Sequence, residues 1–154
     1  MFLSWIGTDG AVFLVVAAVL ALLWWRPWLL VLVLASDLVA QLLSFGLRDW
    51  IDRRRPPLVY PEPNPLVHVP HSGSFPSGHA TAAFACASVL AWLAPRLAFP
   101  AFVLAGAIAW SRVYVGVHWP LDVLGGAGLG MLIATALLTL VTIPRRSPRA
   151  TRTD

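Results

Sequence analysis

Three short groups of polar residues interrupt a strongly apolar sequence, and their side chains are of the types that bind and transfer phosphate. The first group contains two arginines seven positions apart, Arg48 and Arg55. The second and third groups combine small, basic and acidic residues: Ser77, Gly78, His79, Arg112, His118 and Asp122. Guanidinium groups bind phosphate oxygens through paired hydrogen bonds, and a histidine can act as nucleophile or acid. Together the groups predict a phosphate site.

The spacing of the first group is that of two helical turns. A continuous helix would project Arg48 and Arg55 from one face, about 10 Å apart along the axis. Asp52 would lie between them on that face and could hold either arginine. Pro56 disfavours helix at the residue before it, which puts the second arginine at a frayed helix end. The alternative is a basic cluster that only snorkels to the membrane surface.

The second group has the pattern of a helix start. Ser77 is a good N-cap, and Gly78 allows a ligand to approach the backbone closely. The free amides of the first turn, strengthened by the helix dipole, would attract an anion, and His79 would stand beside it. The alternative is a capped helix with an incidental histidine.

The third group pairs a histidine with a carboxylate. Pro120 suits the first position of a helix, which puts Asp122 in the first turn, where the dipole favours an ionised carboxylate. If Asp122 accepts the Nδ1 proton of His118, the Nε2 lone pair is available for attack. Arg112 would complete an arginine clamp on the anion.

A metal site is the competing interpretation, because the chain has four histidines. Two of them, His68 and His71, are three positions apart, but they lie in a proline-rich stretch and not on a helix. The sequence has no His-Glu-x-x-His pattern and no cysteine pair. We therefore predict a site without a metal ion or other cofactor.

The composition places this site in a membrane protein. The 154 residues are 58% hydrophobic and 12% charged, with a mean hydropathy of +0.76, which is too apolar for the surface of a soluble domain. Five apolar stretches suit membrane helices: Ala11–Trp25, Trp28–Leu47, His79–Leu93, Leu97–Val113 and Leu121–Ile143. We predict a single all-α domain over residues 1–154, a polytopic bundle of about five transmembrane helices.

The arginines indicate the orientation of the bundle. If five helices alternate, six arginines fall on one side of the membrane and five on the other. Three of the five belong to the phosphate site, so the six mark the cytoplasmic side, which includes the basic tail 144–154. The site then faces outward from the cell membrane. The net charge of +4 indicates membrane lipid and not nucleic acid as partner, because no basic run lies outside the ends of apolar segments; the sequence sets no oligomeric state.

Further features concern the segments between and within the helices. Residues 56–76 contain seven prolines, so we expect an extended extracytoplasmic lid without helix. Gly126 and Gly130 predict close packing of the last helix against a neighbour.

A row of polar residues lies within the second apolar stretch. Asp37, Gln41, Ser44 and Arg48 follow helical spacing toward the site. Because a carboxylate within a membrane is costly, Asp37 is a functional candidate. We favour interhelical hydrogen bonding as its role, with a position along the lipid path as the alternative.

The combined pattern resembles the signature of a known family. Its parts are Arg48-x6-Arg55-Pro56, Pro76-Ser77-Gly78-His79 and Ser111-Arg112-x5-His118-x3-Asp122. They resemble the type-2 phosphatidic acid phosphatases, or lipid phosphate phosphatases, a superfamily that includes bacterial acid phosphatases and vanadium haloperoxidases. Within it the chain is similar to membrane-embedded bacterial undecaprenyl pyrophosphate phosphatases of the bacitracin-resistance type.

The resemblance implies the helical core of that superfamily and a role for each matched residue. His118 would attack phosphorus, His79 would protonate the leaving group, and Asp122 would orient His118. The other matched residues would hold the phosphoryl oxygens: Arg48, Arg55, Ser77, Gly78 and Arg112.

The function expected from this resemblance is metal-independent hydrolysis of a lipid phosphate or pyrophosphate through a phosphohistidine. Undecaprenyl pyrophosphate is the favoured substrate, because an outward-facing site suits a cell-wall lipid carrier; phosphatidate and phosphatidylglycerophosphate are alternatives. Two other classes compete. A non-catalytic lipid-binding protein would not need His79, His118 and Asp122 together, and the haloperoxidases are soluble.

The chain departs from the family pattern at two points. The family usually has lysine at the position of Arg48, which would alter the first phosphate contact. Its membrane members usually have six spans where five are counted in this chain, as if the first were missing or reduced to Met1–Gly10.

Overall fold

The computed structural model describes residues 11–60, 62 and 66–142. Its regular elements are helices, and these described residues form no strand. In chain order the helices are α1 (Ala11–Leu23), α2 (Trp28–Ile51), α3 (Pro56–Val59), α4 (Gly78–Leu93), α5 (Ala98–Tyr114) and α6 (Pro120–Thr142), with a 3-10 turn at Pro95–Leu97. The predicted all-α class is confirmed. Met1–Gly10 and the tail 144–154 lie outside the described residues.

The five long helices coincide with the five apolar stretches of the sequence. Among the described residues, three segments are long and apolar enough to cross a membrane: Trp28–Val59, Pro95–Tyr114 and Pro120–Thr142. The other two long helices, α1 and α4, are apolar but have 13 and 16 residues. Large apolar side chains are exposed on the outer faces of α1, α2, α5 and α6, as expected where lipid replaces water as the solvent.

The helix α4 lies at the centre of the bundle and contacts α1, α2, α5 and α6. Nine of its 16 residues are buried, and most of these are alanine. Small side chains let neighbouring backbones approach closely, which is a main source of helix association in lipid. Because its neighbours surround it, α4 does not depend on its own length to match the membrane.

Glycines in α6 bring that helix against α4. A Cβ atom at Gly126 would lie 2.6 Å from the carbonyl oxygen of Ser77. A Cβ at Gly130 would collide with the carbonyl oxygen of Thr81, whereas Gly128 has no atom within 4 Å of that position. The close packing predicted for Gly126 and Gly130 is confirmed, and it aligns the beginnings of α4 and α6.

The end of α2 differs from the sequence-based expectation. The helix ends at Ile51, and Asp52 follows in a left-handed conformation with φ 44° while its amide donates to the carbonyl oxygen of Arg48. The expectation that one helix face carries Arg48 and Arg55 is therefore wrong. The exposed Asp52 side chain forms no ion pair within the described residues, so it holds neither arginine.

The expectation of a helix-free stretch over 56–76 is wrong at its beginning. Pro56–Val59 forms one helical turn with proline at its first positions, where the missing N–H has no helical partner to lose. The ring of Tyr60, after this turn, packs edge-on against Trp119 with 6.2 Å between centroids. The start of the loop is thus held at the beginning of α6.

A single methyl group should test the packing of α6 on α4. Gly130→Ala must push α6 away from the backbone of α4, and we expect a loss of roughly 1–3 kcal/mol in the free energy of unfolding. The measurement is thermal or denaturant unfolding in detergent micelles. Gly128→Ala is the matched control and should be neutral or slightly stabilising, because alanine favours helix. Equal effects of the two substitutions would contradict this packing.

Candidate active site

The guanidinium of Arg55 is the most enclosed cation among the described residues, with 1% of the residue exposed. Its Nε donates to the carbonyl oxygen of Ser72 at 2.9 Å, and its Nη2 donates to the carbonyl oxygen of Gly73 at 3.0 Å and, more weakly, to the Ser72 hydroxyl at 3.4 Å. Its Nη1 donates to the carbonyl oxygen of Val117 at 3.0 Å. The segment after α2 is therefore bound to the segments before α4 and α6.

The imidazole of His118 lies directly beside this guanidinium. Its Nε2 is 3.3 Å from Nη1 of Arg55, and its Nδ1 is 2.8 Å from the carbonyl oxygen of Ser74. A guanidinium can only donate and a carbonyl can only accept. These two partners therefore assign the proton of neutral His118 to Nδ1 and leave the lone pair on Nε2.

The surroundings of His118 favour its neutral form. Only 5% of the residue is exposed. Burial lowers the pKa of His118 below its ordinary value, and the charge of Arg55 lowers it further, whereas Asp122 and the Ser74 carbonyl oppose the shift. A neutral imidazole with a lone pair on Nε2 can act as a nucleophile.

Asp122 lies next to His118 but does not make the expected hydrogen bond to it. The Oδ2 atom of Asp122 is 3.7 Å from Nδ1 of His118, too far for a hydrogen bond. Oδ2 instead accepts the Trp119 amide at 2.8 Å, and Oδ1 binds Nη1 of Arg53 at 2.8 Å. The expected hydrogen-bond acceptor for Nδ1 is thus replaced by the Ser74 carbonyl, and Asp122 acts on the imidazole through its charge.

The beginning of α4 lies next to Asp122 and His118. The amide of Ser77 donates to the carbonyl oxygen of Asp122 at 3.0 Å. Ser77 occupies the predicted N-cap position, but its side chain makes no capping hydrogen bond. Its fully buried hydroxyl has no partner within the described part of the chain. His79 follows in the first turn and is half-buried.

Arg48 and Arg112 bring two more guanidinium groups. A Cβ on Gly78 would lie 3.6 Å from both Nη atoms of Arg48, so that guanidinium rests against the first residue of α4. Arg112 is 4% exposed, and its Nε donates to the Ser111 hydroxyl at 3.2 Å. Its buried Nη2 has no hydrogen-bond partner in the residues that the structure covers.

These cations share an electrostatic property. None of Arg48, Arg55 and Arg112 forms an ion pair with a carboxylate of the described residues. An unpaired buried charge costs several kcal/mol, and each unsatisfied buried donor about 1–3 kcal/mol. The helix amides at the beginning of α4 add further positive potential. An anion with several oxygens, such as a phosphoryl group, would offset all three charges and accept a hydrogen bond from the unpartnered Nη2 of Arg112.

Sequence reasoning missed two contributors to this arrangement. Arg53 binds Asp122, and Ser74 binds His118 through its backbone. Arg53 lies in a run of three arginines, and such a run indicates only a basic cluster at a membrane boundary. A backbone carbonyl such as that of Ser74 leaves no signal in residue type.

The polar row in α2 has the predicted helical arrangement. Asp37 is buried with 9% exposure, and its Oδ2 lies 3.5 Å from Nε2 of Gln41. Ser44 is fully buried, and its carbonyl oxygen accepts a hydrogen bond from Nε of Arg48 at 3.1 Å. The row therefore connects the interior of the bundle with the first arginine of the site.

An apolar cavity lies at the opposite end of the bundle from these residues. It has a volume of about 550 Å³ and is lined by residues that include Leu20, Trp24, Leu93 and Arg96. The lining is almost entirely apolar and offers no nucleophile or acid. The chemistry described above is therefore not located in this cavity.

Comparison with known proteins gives both a family and a fold. The PAP2 superfamily matches residues 26–146. Phosphatidylglycerophosphatase B of Bacillus subtilis strain 168 is 41% identical over 120 residues, covering 71% of this chain and 55% of that protein. Undecaprenyl-diphosphatase BcrC of the same organism is 34% identical over 84 residues, covering 49% of this chain and 44% of that protein. The chain thus spans about half the length of these relatives.

A solved structure shares the arrangement of helices. The crystal structure of a transmembrane PAP2 type phosphatidylglycerolphosphate phosphatase from Bacillus subtilis matches with a TM-score of 0.73 and 30% identity, covering 94% of this chain and 75% of that chain. The match supports a membrane protein, in agreement with the apolar helices. Because the family matches most of the chain, including all three polar groups around His118, this protein belongs to the PAP2 superfamily.

Proposed function

We propose that the chain hydrolyses a lipid phosphate or pyrophosphate in two steps, without a metal ion, through a phosphohistidine at His118. One observation carries the proposal: two buried arginines without carboxylate partners, Arg55 and Arg112, accompany an imidazole whose Nε2 carries the lone pair. Phosphoryl transfer needs mainly positioning and stabilisation of charge on the equatorial oxygens. Arginines and helix amides supply both.

The phosphoryl group would bind where these donors converge. Arg55, Arg112 and Arg48 would bind its oxygens, together with the amides at Gly78 and the hydroxyl of Ser77. The unpartnered Ser77 hydroxyl and Arg112 Nη2 support this assignment, because each gains a hydrogen bond from a bound phosphoryl group. The assignments fit the preference of guanidinium groups for phosphate oxygens.

In the first step, Nε2 of His118 forms a bond to phosphorus while the bond from phosphorus to the leaving oxygen breaks. His79 gives its proton to that oxygen, so a lipid alcohol departs neutral and a lipid phosphate departs with one negative charge fewer. In the second step, His79 accepts a proton from water, the water oxygen forms a bond to phosphorus while the bond from phosphorus to Nε2 breaks, and inorganic phosphate leaves. Nδ1 keeps its proton and continues to donate to the Ser74 carbonyl, while the Asp122 carboxylate offsets positive charge on the ring.

The substrate that we favour is undecaprenyl pyrophosphate, converted to undecaprenyl phosphate and phosphate. Phosphatidylglycerophosphate and phosphatidate are the alternatives, and the names of the two relatives cover a polyprenyl and a glycerolipid substrate. We further propose that the protein lies in the cell membrane with the site on the extracytoplasmic face and residues 144–154 in the cytoplasm. The distribution of the arginines supports this orientation.

Replacement of the proposed nucleophile tests the mechanism. His118→Ala should lower phosphate release by at least about 1,000-fold, because no other group can form the covalent intermediate. The assay uses detergent-solubilised protein with a chelator present. His68→Ala, which removes an exposed histidine, is the control and should retain activity. Normal hydrolysis by the His118 variant would rule out the phosphohistidine, and no hydrolysis by the wild-type protein would favour a lipid-binding role.

The substrate is decided by a panel in the same assay. We expect undecaprenyl pyrophosphate to give a higher kcat/KM than phosphatidylglycerophosphate or phosphatidate, and vanadate to inhibit because it occupies a phosphate site. A preference for either glycerolipid would replace the polyprenyl assignment. Vanadate-dependent halide oxidation in place of inhibition would indicate a haloperoxidase.

The protonation of His118 gives a prediction that needs no substrate. Because the pKa of His118 is lowered from 6.5 by burial, its imidazole should remain mostly neutral at pH 6.5 and titrate only below it. Nitrogen NMR of histidine-labelled protein in micelles reports both the titration and the tautomer, and His118→Ala assigns the signal. A midpoint above 6.5, or a proton on Nε2, would contradict the contacts with Arg55 and Ser74.

The role of Asp37 can be tested in the same assay. Asp37→Asn retains the ability to accept from Gln41 and should keep most of the activity if hydrogen bonding within the bundle is its function. A changed order of preference within the lipid panel would instead support a position along the lipid path.

A further inference from the structure

Arg53 forms the only ion pair between an arginine and a carboxylate in the described residues. Its Nη1 lies 2.8 Å from Oδ1 of Asp122, and the Arg53 side chain is 37% exposed while that of Asp122 is fully buried. A cation at the edge of the site thus reaches a carboxylate in its interior. None of the roles proposed above uses this arginine.

The two oxygens of Asp122 are divided between different partners. Oδ1 binds Arg53, and Oδ2 accepts the amide of Trp119 at 2.8 Å. With both oxygens held, the carboxylate stays 3.7 Å from Nδ1 of His118, and Nδ1 donates to the Ser74 carbonyl instead. The ion pair between Arg53 and Asp122 therefore helps to determine which oxygen accepts the hydrogen bond from Nδ1 of His118.

Arg53 is itself held in place by its surroundings. Its guanidinium carbon lies 5.7 Å from the centre of the Trp119 ring, within the range of a cation–π contact. The indole Nε1 of Trp119 donates to the carbonyl oxygen of Arg54 at 3.0 Å. The carbonyl oxygen of Arg53 accepts the Ser74 amide at 2.8 Å. Side chain and backbone are thus anchored to the residues that surround His118.

We propose that Arg53 is a positioning residue, which acts through Asp122 to keep that carboxylate apart from the Nδ1 side of His118 and to offset its charge. The inference rests on the proposed function, because it gives His118 its role as nucleophile. Arg53 acts on the side of the His118 ring away from the phosphoryl group. Its partner Asp122 faces Nδ1, whereas Arg55 and the expected phosphorus atom face Nε2. Arg53 therefore supports the nucleophile without contacting the phosphoryl group.

The sign of its effect follows from the charges around the imidazole. Arg55 lies 3.3 Å from Nε2, and Asp122 lies 3.7 Å from Nδ1 with Arg53 bound to it. The other ionisable groups of the proposed site are Arg48 on α2, His79 on α4 and Arg112 on α5. Without the positive charge of Arg53, the negative charge of Asp122 is no longer offset. It therefore favours the protonated form of the His118 imidazole. His118 should then titrate at a higher pH.

The experiment compares two neighbouring arginines. Arg53→Gln removes the charge that binds Asp122. Arg54→Gln removes an equal charge one residue later, from an exposed side chain that makes no hydrogen bond or ion pair within the described residues. Nitrogen NMR of histidine-labelled protein without substrate follows His118 in each variant. We expect the His118 midpoint to move to higher pH in Arg53→Gln and to stay near the wild-type value in Arg54→Gln.

In kinetics, Arg53→Gln should change the pH dependence of kcat/KM and should not lower kcat/KM equally at every pH. A midpoint raised by about one unit reduces the neutral fraction of His118 roughly tenfold on the acid side. Arg53→Gln should therefore lose roughly tenfold in kcat/KM at pH values below both midpoints, and much less above about pH 8. A loss of equal size at every pH would indicate a purely structural role and overturn the proposal.

The double variant tests whether Arg53 acts through Asp122. In an Asp122→Asn background, Arg53→Gln should move the His118 midpoint by less than half as much as in the wild-type background, because the mediating carboxylate is gone. An undiminished shift would overturn the proposal. The NMR result is independent of turnover, so it holds or fails even if His118→Ala retains hydrolysis and the phosphatase mechanism is rejected.

Lysine variants carry the test if Arg53→Gln does not fold. Arg53→Lys keeps the charge but loses the planar fork, so it should shift the midpoint upward by less than the glutamine variant and by more than its matched control, Arg54→Lys. No shift beyond that control would overturn the proposal.

Discussion

The buried guanidinium of Arg55 is the interaction on which the geometry of the site depends. An arginine has five N–H donors, and Arg55 directs all five to Ser72, Gly73, Val117 and His118. A buried charge is tolerable only when hydrogen bonds replace its hydration. Satisfying this one cation therefore requires the segments after α2, before α4 and before α6 to meet at a single point, which is where His118 lies.

The fold was largely predictable because lipid imposes simple rules on sequence. Long apolar runs must become helices, so the sequence predicts Trp28–Ile51 and Pro120–Thr142 to within a few residues. Gly126 and Gly130 predict the contact of α6 with α4, because only the smallest residues permit it. The end of α2 was not predictable from the Arg48 to Arg55 spacing, since the left-handed residue Asp52 stops the helix four residues before Arg55.

Residue types predict which residues form the site, but they do not predict which hydrogen-bond partners these residues have. Arginines and histidines in membrane-bounded groups indicate phosphate chemistry, but the partner of Nδ1 is the backbone of Ser74, which any residue type provides. Arg53 and Arg54 are indistinguishable in sequence. The turn at Asp52 decides that Arg53 binds Asp122 while Arg54 is exposed, and such a choice depends on backbone direction within a few residues.

If His118 is the nucleophile, its contact with Arg55 through Nε2 also couples recognition of the phosphoryl group to reactivity. The lone pair that would attack phosphorus is the acceptor of one guanidinium N–H at 3.3 Å, so it is masked toward small electrophiles while the guanidinium keeps this orientation. An oxyanion that approaches Nε2 would compete for that N–H of Arg55. When the N–H donates to the oxyanion instead of to Nε2, the lone pair becomes available while phosphorus is adjacent. On the proposed mechanism, this one hydrogen bond would select against uncharged esters, because an uncharged ester is too poor an acceptor to displace the imidazole.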